Sequence, residues 1–537
     1  MIILSASVQA QHVYERGTFL GVPSGKHINH SFYGKRNVFF ATEDGVLVYD
    51  HDRQVWLEPI TASEGLNQYP ALLVWEDNGT QDIWIVTPDF VFVYDELSDW
   101  MERFALPREP EYSGQYSLGI ADNKVVITSK REGIPQTYSA VFNRGAVTFD
   151  SWGEDSTLNV AWDRYTPVQT IAPEYQSFQQ KLPLQIIQGG SIDAEGALHL
   201  DGYPIRSGTT VSTITGVSES GELFLGTHGM GVLHRGIRGG DLVPLPYGLL
   251  SPDVMSMATA EEKLFIGGRA GLTTMQDFSV WYDEAIRDPV YDFSFVSAID
   301  LRKNDVFIAG RGGVFTKRID KASWERVVTK KDLGSDRIYS IAAGDAGQLM
   351  IGTENGAYLY HDSGLILETV FQGQINWPVF DIVYENGTYF IATYFGLYLF
   401  DVHANQLMTR ISSDASVTSP QGSSLPDPIY ECTVKDSILW ATTHRGILSF
   451  DLHTDTGESF LSPMAPFKPR GLDIIGKKVW IGTDNGLYSF ERKTEAWRQY
   501  TTNDGLISNF VTDLVALEDY IWLGTNLGLT RINWRNL

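Results

Sequence analysis

One segment constrains this chain more than any other: Lys477 to Tyr500, KKVWIGTDNGLYSFERKTEAWRQY, because reduced copies of it recur along most of the 537 residues. Val479 to Thr483 alternates apolar with small or polar residues, as a half-buried strand does. Asp484-Asn485-Gly486 then supplies turn residues that tolerate positive φ, so Leu487 to Phe490 reads as the returning strand of a hairpin. Ala496 to Tyr500, opened by Trp497, is a third strand. After the loop Asn503 to Leu506, Phe510 to Leu517 is a fourth, running into Ile521-Trp-Leu-Gly-Thr525.

With the Thr of VWIGT as marker, equivalents stand at Thr42, Thr87, Thr128, Thr227, Gly268, Gly310, Thr353, Thr393, Thr443, Thr483 and Thr525. Apart from the interval between Thr128 and Thr227, the steps are 40 to 50 residues. A glycine three positions on recurs at Gly45, Gly271, Gly313, Gly356, Gly396, Gly446, Gly486 and Gly528. Tryptophan keeps the same phase in two columns: Trp84, Trp440, Trp480 and Trp522 before the marker, and Trp56, Trp100, Trp281, Trp324 and Trp497 after it. A four-stranded unit of this period must bury both faces against like neighbours, which predicts an all-β β-propeller of about 11–12 blades.

Eleven markers and one hidden blade exceed the eight of a typical ring, so two rings are expected. The predicted partition is a signal-peptide remnant over 1–11 and first-ring blades over 12–130, closed by 505–537. A divergent blade or inter-ring insertion fills 131–205, and a seven-bladed ring spans 206–504. Tyr14 to Phe19 stands as far ahead of Thr42 as Trp497 does ahead of Thr525, so the N-terminal strand is expected to complete the last blade, which lacks its outer strand. Ser412 to Asp427 reads as an extended surface loop.

The repeat resembles the two-component regulator propeller repeat, a strand followed by W-I-G-T-x-x-G-L, an aromatic strand, then D-G-L and V. The likeness runs with gaps from Phe39 to Asn533 and is closest in IWLGTNLGL and NDGLISNFVTDL. The resemblance implies a periplasmic sensor part that binds an oligosaccharide. No kinase, sandwich domain or membrane helix follows Asn533, so such a role calls for a membrane-bound kinase or a cell-surface protein as partner; a secretion-associated scaffold is the other form such repeats take.

Composition narrows the partners. A net charge of −25 with scattered Lys and Arg argues against nucleic acid, and no run of about 18 apolar residues is present to span a membrane. The lone Cys432 excludes an intrachain disulfide and reads as a small buried residue. The ending Val8-Gln9-Ala10 resembles a signal-peptidase site, so export to the periplasm or cell surface is expected. Signatures of metalloproteases, serine hydrolases, phosphate loops and EF-hands are absent, which predicts no metal, no cofactor and no catalytic set.

Binding is expected where the hairpin turns carry variable tips on a constant frame. The candidates are Arg269, Arg311, Glu354, Asn355, Tyr394, His444, Arg445, Asp484 and Asn485, with Trp377 of the inter-blade stretch QINWPVF. The arginines point to an anionic or sugar-acid ligand, and Trp377 and Tyr394 to stacking on a sugar ring. The competing expectation, a polysaccharide- or lactone-cleaving enzyme, would use the same Arg, Tyr and His for proton abstraction and charge neutralisation.

Overall fold

In a computed structural model the chain is described over residues 17–537 apart from 78, 107–114, 122–123, 131–136, 144–147, 155–189, 193–197, 201–209, 218–221, 237–241, 261–262, 277–279, 284–292, 322, 336, 346, 362–365, 370–376, 420–426 and 518. Eleven antiparallel sheets of four or five strands, and one two-stranded piece, occur among these residues, with a single four-residue α-helix, Lys330–Leu333. The expected β-propeller is the fold observed. The segment 1–11 and Tyr14 lie outside the described residues.

The marker column has a local cause. In the Thr353 blade the Thr353 hydroxyl donates to the Gly356 carbonyl at 2.9 Å and accepts from the Asn355 amide at 3.1 Å, tying both ends of the turn. Thr393, Thr483 and Thr525 do the same. The glycine column follows from the turn: Gly486 has φ of +105°, and a Cβ there would stand 2.3 Å from the Tyr500 carbonyl oxygen. The Trp column three before the marker is core, with Trp84, Trp440, Trp480 and Trp522 all buried.

The chain divides into two compact units. In the first, Leu20–Leu249 with Asn503–Gly505, the sheet of Ile28–Tyr33 lies between that of Thr210–Val217 and that of Leu73–Glu76. Ser31 Oγ and Thr213 Oγ1, 2.8 Å apart, join the first pair. Between their strands Glu222 accepts from the Tyr33 hydroxyl at 2.8 Å and meets His234 Nε2 at 3.0 Å. The Thr128 sheet, Gln115–Ala121 to Thr148–Glu154, shares a hydrophobic cluster with the Thr87 sheet. Thr137–Asn143 and Thr148–Glu154, within the stretch expected as a divergent blade or insertion, therefore belong to the Thr128 blade; most of the remainder of 131–205 is outside the described residues.

The second unit, Gly17–Phe19, Leu250–Thr502 and Leu506–Leu537, holds seven sheets. Their innermost strands are Val254–Ala260, Ala298–Arg302, Ile338–Ala343, Val379–Glu385, Cys432–Lys435, Pro469–Ile475 and Val511–Leu517. Each packs against the next and the last against the first, so this unit closes on itself. Polar side chains fasten consecutive inner strands. Asp300 accepts the Ala343 amide at 2.6 Å, Asp381 the Cys432 amide at 2.9 Å and Asp473 the Ala516 amide at 2.8 Å. Asp513 completes the circuit by accepting the Met257 amide at 2.6 Å. At the same closure Gly524 faces Val254 so tightly that a Cβ would stand 2.4 Å from its Cγ1.

Three expectations are corrected here. The Thr525 sheet belongs with the Gly268 to Thr483 sheets, not with the N-terminal blades, and the Thr227 sheet belongs to the first unit. The repeat period fixes each sheet but not its neighbours, which are chosen by contacts such as Gly524 on Val254 and Gly226 on Ile28. The N-terminal strand does complete the last blade, but as Phe19–Val22 beside Gly528–Asn533, with the Asn533 amide donating to the Thr18 carbonyl at 2.8 Å. Within the expected loop Ser412 to Asp427, Val417–Thr418 adds a short fifth strand to the Thr393 sheet by pairing with Arg410 and Ile411.

Candidate binding face of the second unit

The variable turn tips occupy one equivalent position in successive sheets of a closed ring, and therefore one face. Two of these turns are tied to the segment leading into the next sheet's inner strand: the Arg269 carbonyl accepts from the Phe295 amide at 3.0 Å, and the Tyr394 carbonyl from the Asp427 amide at 3.0 Å.

The side chains differ in how free they are. Arg269 is committed to Asp253, 2.9 Å from its Nε, and lies over Phe295. Arg311 and Arg445 are exposed, with no side-chain partner among the described residues. Arg445 stands three blades from each of the other two, so the three arginines are spread round the rim and do not converge. Glu354 accepts from the Ser335 hydroxyl at 3.4 Å, and Asn355 Nδ2 donates to the Gly334 carbonyl at 3.4 Å. Asp484 accepts the Lys468 amide at 3.2 Å, while Asn485 uses its carbonyl for Gln499 at 2.7 Å. Tyr394 is 39% exposed and His444 is exposed.

Trp377 is a correction. It is 6% exposed, in a hydrophobic cluster with Tyr389 and Tyr398, its ring 4.7 Å from that of Phe395. A ring enclosed in this way packs the blade interface and offers no face to a sugar.

Sequence reasoning missed the residues on the inner strands. Five of these strands carry a β-bulge just inside the marker level, at Met255, Tyr339, Phe380, Arg470 and Thr512. A bulge bends the strand and re-aims the extra side chain. All five, with Ser297 and Tyr430 at the matching place just ahead of the other two strands, line a cavity of about 710 Å3 on the ring axis. Met255 and Tyr339 are each 36% exposed, Phe380 and Tyr430 stack at 5.3 Å, and Arg470 lies 4.5 Å over the Phe510 ring. The signal was present as a column 13 residues before the marker (14 at Tyr339) that changes from blade to blade.

Beneath these residues the wall is acidic. Asp381 and Asp513 pair with Ala392 and Gly524, and the Glu431 backbone carbonyl accepts the Thr442 amide, which puts all three one residue below the marker level. Asp300 and Asp473 pair with Phe307 and Trp480, two residues deeper, or about 7 Å at strand rise. Burial pushes the Asp513 carboxyl up to about 8 and that of Asp300 up to about 6, against the pull of the amides they accept. Glu431 is driven well above the usual carboxylate range, first by burial and then by Asp381 and Asp513, with Arg470 opposing.

No protein-family model matches the sequence, and no curated protein matches it. Solved structures do. The chain is similar to PorZ, an essential bacterial surface component of the type-IX secretion system of Porphyromonas gingivalis, with 12% identity, 96% of this chain and 87% of that one covered, and a TM-score of 0.58. The fold is a propeller of that kind. Also similar is the extracellular domain of the putative one component system BT4673 from B. thetaiotaomicron, with 16% identity, 94% and 70% covered, and a TM-score of 0.43. The extracellular domain of the putative hybrid two component system BT3049 from the same organism shows 13% identity, 95% and 82% covered, and a TM-score of 0.31. Among the described residues no helix is long and apolar enough to cross a membrane, and no group of His, Cys, Asp and Glu is placed to hold a metal ion.

Proposed function

We propose that this chain is an exported, non-catalytic binding propeller that presents the turn-bearing face of its second unit to a polar ligand, a carbohydrate or a segment of a partner protein. The observation that carries this reading is the pairing of a constant frame with side chains that change from blade to blade. Thr, Gly and Trp repeat to hold the sheets, whereas the bulge column runs Met, Ser, Tyr, Phe, Tyr, Arg, Thr around one cavity. A fold that spends bulges on re-aiming unlike residues into a shared opening is built for recognition. Export is supported by the ending Val8-Gln9-Ala10 and by the surface and extracellular settings of the similar structures. A membrane-bound kinase or a cell-surface protein would receive the signal or share the assembly.

The test is a glycan array and a surface-protein capture, each with the wild-type chain and with Tyr339→Ala and Phe380→Ala, followed by recovery of the bound ligand. Saturable binding lost in the variants, with the ligand recovered unchanged, supports the reading. New reducing ends or unsaturated products would replace it with the cleaving enzyme.

A further inference from the structure

The cavity on the ring axis is more specific than a general polar opening. Its upper acidic layer holds three carboxylates, and they are not equivalent. Asp381 and Asp513 are engaged by amides of the next blade, but the Glu431 carboxylate has no hydrogen-bond donor among the described residues. Ser340 lines the same cavity at 6% exposure, and its Oγ is buried without a partner among the described residues. Buried polar atoms are almost always satisfied, so an orphaned hydroxyl and an unengaged carboxylate in one cavity mark a place where another molecule completes the bonding. Above them stand the Phe380–Tyr430 stack and Tyr339, rings whose faces attract cations. Five carboxylates face Arg470 and, at the mouth, Lys468.

We propose that the axial cavity of the second unit binds an alkylammonium or alkylguanidinium group, seated against Glu431 and the Phe380–Tyr430 stack with the Ser340 hydroxyl as a further acceptor. This rests on the binding reading above and narrows its ligand to a cation, where the turn arginines alone suggested an anion. The charge pattern also orders the ligand. Arg311, Arg445 and Lys468 on the outer face favour acidic groups flanking the cation, so the occupant with the best fit is a peptide segment with one Lys or Arg between acidic residues. Free diamines and agmatine carry the same end group without those flanks.

The experiment is isothermal titration of the whole chain with agmatine, with the peptide acetyl-Asp-Gly-Arg-Gly-Asp-amide, and with the same peptide carrying citrulline in place of Arg. Saturable binding is expected for agmatine and for the Arg peptide, tighter for the peptide, and at least 10-fold weaker for citrulline. Glu431→Gln should weaken both cationic ligands at least 10-fold. Glu458→Gln, which removes a charge of the same sign from the exposed outer strand of the same blade, should leave them unchanged. Urea midpoints of both variants establish that they are folded. Equal binding of the citrulline peptide, or equal losses in Glu431→Gln and Glu458→Gln, would overturn the proposal. Failure of both cationic ligands beside successful glycan or protein capture would overturn it while sparing the binding reading; failure of every ligand would overturn both.

Discussion

Asp513 allows the closure of the second unit to be tested as a stability difference. Its Oδ2 accepts the Met257 amide at 2.6 Å and its Oδ1 the Leu514 amide at 2.7 Å, so it joins the last sheet to the first. Asp513→Ala removes the acceptor and leaves the Met257 N–H buried without a partner, a loss of about 1–3 kcal/mol. Asp513→Asn keeps a carbonyl oxygen in place and removes the charge. The wild-type carboxyl titrates at about 8 in the folded chain against 3.8 ordinarily, so the folded state retains a proton that the unfolded chain has released. Stability from this group is therefore complete below pH 4 and is lost as pH rises towards 8. Between those two values the loss is about 1.4 kcal/mol per pH unit, because the slope is set by the one proton that differs between the folded and unfolded states, and it levels off as pH nears 8. Urea unfolding at pH 5, 6, 7 and 8 should then show the asparagine variant gaining on wild type by about 3 kcal/mol across the range, and the alanine variant below both at pH 5. Parallel curves for wild type and Asp513→Asn, or an asparagine variant as unstable as alanine at pH 8, would refute the reasoning.

Other consequences are equally concrete. Gly524→Ala drives a methyl into Val254 and should cost about 1–3 kcal/mol in urea unfolding; adding Val254→Ala should recover part of it, giving a coupling that independent sites would lack. Trp377→Ala should destabilise the second unit by about 3–5 kcal/mol, because a buried ring leaves a cavity, and any ligand that still binds should do so with unchanged affinity per folded molecule. Removing residues 1–22 exposes the Gly528–Asn533 edge and should lower the urea midpoint and promote aggregation in light scattering; a monomeric chain of unchanged midpoint would contradict the strand exchange.

The fold was legible because its unit is stapled locally. Thr483, Gly486 and Trp480 each answer to a contact within their own sheet, so their columns survive in the sequence. The grouping of sheets was not legible, since Gly524 and Asp513 act on Val254 and Met257, more than 250 residues away, through contacts no periodicity records. The site was half legible. The turn tips Arg311, Tyr394, His444 and Arg445 are exposed on one face as expected, but Trp377 is buried by Phe395 and Tyr398, aromatics whose burial the alternation did not reveal. Tyr339, Phe380 and Arg470 escaped notice because a bulge interrupts the two-residue alternation on which strand reading depends.

Hydrogen exchange followed by mass spectrometry tests the central claim, that the last sheet of the second unit lies against its first. In Asp513→Ala, a peptide spanning 254–260 should exchange faster than in wild type, while one spanning 338–343, whose Ala343 amide is held by Asp300, should not change. Unaltered exchange at 254–260 in a folded Asp513→Ala chain would contradict the closure and the axial cavity built on it.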